Sequence, residues 1–112
     1  MSTYKDTQTP ASGPREPRND IRRLHLVFTG EVQGVGFRWT AQHVAHDVRV
    51  TGWVRNEGDG SVTMEIQGSD LQISEFFGRF NRSYAYYPID YVIDDKHEIG
   101  LVPDEHDFRV RF

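Results

Sequence analysis

The chain reads as an α+β sandwich, a β-sheet carrying two helices on one face in the order βαββαβ. Three observations predict it. Short runs alternate apolar and polar residues, as strands with one face on a core do. Two intervening stretches space their apolar residues as helices do. Glycine, aspartate and proline fall where the period changes.

The elements follow in chain order. Leu24, Leu26 and Phe28 face one way and His25, Val27 and Thr29 the other, giving a first strand. Gly30 to Gly36 contains three glycines and breaks that period, so it is a loop. Phe37, Ala41, Val44, Ala45 and Val48 recur at helical spacing, with Gln42, His43, His46 and Asp47 elsewhere on the helix. Val50 to Asn56 is a second strand. Glu57-Gly58-Asp59-Gly60 is a turn, because glycine and aspartate tolerate its backbone angles. Val62, Met64 and Ile66 alternate with Thr63, Glu65 and Gln67 and complete a hairpin. Ser69-Asp70-Leu71-Gln72 fits a capping box that opens a second helix, with Ile73, Phe76, Phe77 and Phe80 on one face. Pro88 stops any helical continuation. Ile89, Tyr91 and Ile93 predict a fourth strand, and Phe108, Val110 and Phe112 a short fifth. Two βαβ-like halves then form one antiparallel sheet with both helices on one face, the ferredoxin-like arrangement, with a C-terminal strand added.

A length of 112 residues allows one domain and one core. Residues 1–20 are rich in proline, serine and threonine and have almost nothing to bury. They are expected to form a disordered tail, leaving residues 21–112 as the domain. The chain has no cysteine, which removes disulfides, thiolate metal sites and cysteine nucleophiles. Its net charge of -4 argues against a nucleic-acid binder. No apolar run has the length of a membrane span, and the N-terminus lacks an apolar leader core, so a soluble cytoplasmic protein is expected.

The strongest chemical signal is Gly30-Glu31-Val32-Gln33-Gly34-Val35-Gly36-Phe37-Arg38, which joins a strand to a helix start. Helix starts carry unpaired N–H groups and the positive end of the dipole, and so bind anions. Glycines let the backbone curve tightly and approach a ligand. Arg38 adds a planar fork that matches two phosphate oxygens. The alternative is a plain glycine-containing turn beside a surface arginine. A nucleotide P-loop is excluded, since no Gly-Lys-Ser or Gly-Lys-Thr is present. The dinucleotide fingerprint fails too: Trp39 stands where its third glycine belongs.

Val32-Gln33-Gly34-Val35-Gly36-Phe37-Arg38 resembles the first signature of the acylphosphatases. Gly52-Trp53-Val54-Arg55-Asn56, followed by Gly60-Ser61-Val62 and ending at Gly68, resembles the second. The resemblance covers roughly residues 24 to 80, and beyond them only the final Phe-x-Val-x-Phe strand. It implies hydrolysis of an acyl phosphate to a carboxylate and inorganic phosphate, by a monomer without metal or cofactor. By the same resemblance Gln33, Gly34, Val35, Gly36, Phe37 and Arg38 form the phosphate site, and Asn56 positions the attacking water. A carboxylate leaves readily, so positioning and charge stabilisation suffice. Asparagine takes no proton at neutral pH, so the water's proton would go to the substrate.

Other residues invite weaker readings. His43 and His46 lie one turn apart without a third ligand, and are expected to face solvent. Asp90, Asp94, Asp95, Asp104, Glu105 and Asp107 lack calcium-loop spacing and read as a solvated acidic face. Trp53 is expected on a sheet face, and Trp39 near the phosphate mouth. Tyr84, Tyr86 and Tyr87 suit either partial burial or stacking on a base or acyl group. Arg49 stands where the family often has glycine, and is expected in a left-handed conformation. The region from Tyr84 to Glu105 departs furthest from the family and leaves the acyl-side pocket undefined. Three rival readings stand beside it: a non-catalytic anion-binding module of the same fold, the acylphosphatase-like domain of a carbamoyl-transfer maturation protein, and an RNA-recognition module. The second would continue into zinc-binding cysteines. The third would need exposed aromatics on the central strands.

Overall fold

Alternation in β1 (Arg22–Gly30) sends Leu26 and Phe28 into the interior, while Arg23 and His25 take the opposite face. The same rule holds in β3 (Val62–Gly68), where Val62, Met64 and Ile66 are fully buried. Between these strands the chain forms α1 (Phe37–Val48) and β2 (Thr51–Asn56). After β3 come α2 (Asp70–Ser83), β4 (Tyr91–Ile99) and β5 (Phe108–Arg111). This computed structural model describes residues 21–34, 36–84 and 91–112. The expected tail, Val35, Tyr86, Tyr87 and Ile89 lie outside the described residues.

The strands are ordered β4-β1-β3-β2-β5. β1 pairs antiparallel with β3 and β4, and β2 antiparallel with β3, as a ferredoxin-like sheet requires. β5 instead runs parallel to β2, so the five-stranded sheet is mixed. The reason is the path of the chain. Leaving β4 at one edge, it passes Arg23 of β1, Gln67 of β3 and Gly52 of β2 before reaching the far edge. A parallel neighbour needs a crossing of this kind rather than a hairpin.

Both helices pack on the inner face. Phe37, Ala41, Val44, Ala45 and Val48 of α1, and Ile73, Phe76 and Phe80 of α2, share one core with Leu26, Phe28, Val54, Met64, Ile66 and Phe108. Phe28, Phe37, Phe76, Phe80 and Phe108 are each at most 2% exposed, and burying such a ring contributes about 1.5–3 kcal/mol. α2 begins with the expected capping box. The Gln72 N–H donates to Ser69 Oγ at 3.1 Å, and the Ser69 N–H to Gln72 Oε1 at 2.9 Å. Gln72 Nε2 also donates to the carbonyls of Val48 and Arg49, tying the start of α2 to the end of α1. Arg49 is left-handed as expected, with φ 67° and ψ 33°.

The outer face departs from expectation. Arg23 is 1% exposed although it is charged. Its Nε donates to Glu65 Oε1 at 2.9 Å, and its Nη1 to Glu105 Oε1 at 2.7 Å and Gln67 Oε1 at 3.2 Å. Glu105 is therefore not part of a solvated acidic face. It anchors the segment between β4 and β5 across the sheet. Gln67 adds a reciprocal pair with the Val102 backbone, at 3.0 and 2.9 Å. Trp53 lies on this face as expected. The guanidinium carbons of Arg55 and Arg111 sit 5.1 and 4.6 Å from the centre of its ring system.

Candidate active site

The loop after β1 enters α1 at Gly36, which is left-handed and offers no side-chain cap. The first backbone N–H groups of a helix have no partner within it. Here the Thr40 N–H donates to the Gly36 carbonyl, while those of Phe37, Arg38 and Trp39 have no backbone partner among the described residues. No acidic residue occupies the first turn. The positive end of the α1 dipole is thus left for an anion. Gly34 and Gly36 have φ of 78° and 75°, a region that L side chains rarely adopt. An added Cβ at either would meet nothing within 4 Å, so backbone conformation, not crowding, calls for glycine.

Phe37 fixes this helix start from behind. Its ring packs edge-on against Phe28 at 5.0 Å, Phe80 at 4.9 Å and Tyr91 at 5.8 Å. Its side chain belongs to the core, and only its backbone can meet an anion. Tyr84 stacks beside it at 6.1 Å and is half-buried. Burial pushes the hydroxyls of Tyr84 and Tyr91 above their ordinary range, so both stay neutral.

One cavity of about 680 Å³ brings the predicted residues together. Gly34, Gly36, Phe37, Arg38 and Asn56 all line it. Asn56 is the last residue of β2, and its Oδ1 is buried with no hydrogen-bond partner among the described residues. Such an atom normally finds a donor, and one left without costs about 1–3 kcal/mol. Gln33 is placed differently. It is not among the residues lining the cavity, and its Nε2 donates to the carbonyls of Glu57 and Ser61 at 2.8 and 2.9 Å.

The turn after Asn56 is firmly built. The Glu57 N–H donates to the Ser61 carbonyl at 2.8 Å, and Ser61 donates through N–H and Oγ to Asp59 Oδ1 at 2.9 and 2.6 Å. Those two donors hold the Asp59 carboxyl below its ordinary range. The Thr63 hydroxyl, then the Arg55 guanidinium, do the same for Glu57.

The far wall of the cavity comes from residues the sequence did not assign to it. Gln42, Arg109, Val110 and Phe112 line it beside Trp39. β5 delivers Arg109 and Val110, and Phe112 just after it, because the strand pairs with β2, which ends in Asn56. Trp39 does sit at the mouth, 67% exposed and stacked on His43 at 5.1 Å. The Arg38 guanidinium carbon lies 5.1 Å from the Phe112 ring centre. His46 turns instead to Asp107 Oδ1, at 3.2 Å. Among the described residues no three histidine, aspartate or glutamate side chains are placed to share a metal ion.

Residues 24–110 match the family model of the acylphosphatases. An acylphosphatase of Geobacillus thermodenitrificans is 34% identical over 92 residues, covering 82% of this chain and 96% of the relative. One from Lactobacillus gasseri is 49% identical over 63 residues, 56% of this chain and 69% of that one. Among solved structures, the acylphosphatase of Bacillus subtilis superposes with a TM-score of 0.67 at 25% identity, over 82% of this chain and 99% of that one. HypF of T. kodakarensis carries the same fold within 12% of its length, with a TM-score of 0.64 and 27% identity over 81% of this chain. The family match spans both the glycine loop that lines the cavity and the strand that ends in Asn56, and the chain belongs to the acylphosphatase family.

Proposed function

We propose that this acylphosphatase holds the phosphoryl group of its substrate with Arg38 and the backbone N–H groups of residues 34–38, and positions the attacking water with Asn56. The hydrolase activity toward acyl phosphates follows from family membership; the division of labour is our reading of the site. The water oxygen attacks phosphorus, and the bond from phosphorus to the acyl oxygen breaks. The carboxylate departs with the bonding pair. The water's proton passes to a phosphoryl oxygen, because Asn56 has no basic atom to take it. Arg38 and the start of α1 stabilise the charge on the equatorial oxygens.

The observation that carries this reading is Asn56 Oδ1, a buried acceptor without a partner among the described residues, in the same cavity as Arg38. It accepts one hydrogen bond from the water and orients the oxygen lone pair toward phosphorus. Trp39, Val110 and Phe112 give the rest of the cavity an apolar and aromatic wall suited to the acyl group. The reaction needs no metal ion or cofactor. Residues 21–112 form the catalytic domain, and residues 1–20 a tail outside it. The enzyme acts as a cytoplasmic monomer. No helix among the described residues is long and apolar enough to cross a membrane.

Phosphate release from a simple aryl acyl phosphate tests the assignment of Arg38. Arg38→Lys keeps the charge but loses the planar fork. It should lower turnover and weaken competitive inhibition by inorganic phosphate together. Unchanged inhibition by phosphate would place the cradle elsewhere.

A further inference from the structure

We infer that Gln33 is a positioning residue for Asn56, acting through the hairpin turn and not through the phosphoryl group. The inference rests on the water-positioning role of Asn56 proposed above. A primary amide has two N–H donors. Both those of Gln33 are occupied, one by the Glu57 carbonyl at 2.8 Å and the other by the Ser61 carbonyl at 2.9 Å. Two carbonyl acceptors also fix which way the amide points, since its oxygen would be repelled there. The side chain therefore has no donor left for a phosphate, and it is not among those lining the cavity.

What the two bonds join is the point. Phosphate cradle and water-positioning residue lie on separate pieces of chain, the loop after β1 and the end of β2. Gln33 belongs to the first. Glu57 follows Asn56 directly, and Ser61 closes the same turn through its bond with the Glu57 N–H at 2.8 Å. Gln33 thus ties the cradle to the turn that carries Asn56. Among the described residues Asn56 makes no bond through Oδ1, so its own side chain gains no placement from that atom. Its position comes from the backbone, and Gln33 grips that backbone one residue away. Displacing a reacting group by about 1 Å can cost roughly 100-fold in rate, so a fixed distance between water and phosphorus has kinetic value.

Gln33→Met has nearly the size of glutamine and neither donor. Gln33→Glu puts a carboxylate against two carbonyl oxygens. Each should be compared with wild type, with Asn56→Ala, and with the double variants, in aryl acyl phosphate hydrolysis and in phosphate binding followed by NMR. Melting curves establish that each variant is folded, and Gln33→Met stands as the test should Gln33→Glu not fold. We expect Gln33→Met to lower kcat roughly tenfold, and Gln33→Glu more, in line with lost positioning. Phosphate affinity should change less than about twofold, because the cradle's N–H groups and Arg38 remain. In the Asn56→Ala background, Gln33→Met should change kcat by less than about twofold, the non-additivity of residues that act as a unit. Phosphate affinity falling in parallel with kcat would make Gln33 part of the cradle and overturn the inference. Independent, multiplying losses in the double variant would overturn it as well. If Asn56→Ala is impaired and Gln33→Met is not, the inference alone fails. If Asn56→Ala turns over like wild type, the role of Asn56 fails first and this inference with it.

Discussion

Arg49→Gly should stabilise the protein. Arg49 follows the last residue of α1 with φ 67° and ψ 33°, where a Cβ crowds the following carbonyl. For an L residue that conformation costs about 1–2 kcal/mol. The backbone there is firmly bound and would stay in place. The Arg49 N–H donates to the Ala45 carbonyl, and the Arg49 carbonyl accepts from Gln72 Nε2 at 3.2 Å. The side chain is exposed and makes no ion pair among the described residues, so little is lost with it. Glycine returns roughly 0.5–1 kcal/mol through its larger freedom in the unfolded chain. The net gain is then about 0.5–1 kcal/mol. For a domain of this size each kcal/mol moves Tm by about 4–8 °C, so a rise of roughly 2–8 °C is expected. Thermal and urea denaturation would measure it. Arg49→Ala separates the backbone from the side chain: it keeps the Cβ and should melt close to wild type. A lower midpoint for Arg49→Gly, or an equal rise for Arg49→Ala, would refute the steric argument.

Two further predictions concern the outer face of the sheet. Arg23→Ala removes the cation from between Glu65 and Glu105, each only 16% exposed, and should cost about 3–5 kcal/mol by urea denaturation; a loss below about 1 kcal/mol would mean that water replaces the guanidinium there. Stability should also fall in acid. Burial by itself raises the Glu65 carboxyl, but the hydrogen bonds to His25 and Arg23 outweigh it and hold the group below its ordinary range. A carboxyl depressed by folding gives stability that is present above its unfolded value, about 4.3, and is lost as pH falls through the lower folded value. The urea midpoint should therefore decline below about pH 4.5, and less steeply in Glu65→Gln; identical slopes would show that Glu65 is not the group involved.

Much of this arrangement could be read from residue order, because its causes are local. Alternation in β1 and β3, the Ser69–Gln72 capping box and the left-handed Arg49 each depend on neighbours a few residues away. Arg38 and Asn56 were found by their motifs, and the fold brings them to one cavity. What escaped the sequence depends on distant partners. Arg23 looks like an ordinary polar position on an exposed strand face, and only the segment crossing above it explains its burial. That segment is polar and has no period to announce it. β4 is longer than its apolar residues suggested, running to Ile99 through Asp94, Asp95, Lys96, His97 and Glu98. As an edge strand with exposed side chains it has no need to alternate. Gln33 was grouped with the phosphate loop by motif, while its amide reaches across 24 residues to Glu57. Arg109, Val110 and Phe112 join the cavity only because β5 lies parallel beside β2.

The most direct test of the account is Asn56→Ala, measured for turnover and for phosphate affinity on the same preparation. Asn56 is assigned to the water and Arg38 to the phosphoryl group, so the two functions should separate. The account predicts a kcat lower by roughly 100-fold or more, as lost positioning implies. Inorganic phosphate, titrated by NMR, should bind the variant within about threefold of wild type, because the charge-assisted contacts of Arg38 are untouched. Full turnover in Asn56→Ala, or a loss of phosphate affinity as large as the loss of kcat, would contradict it.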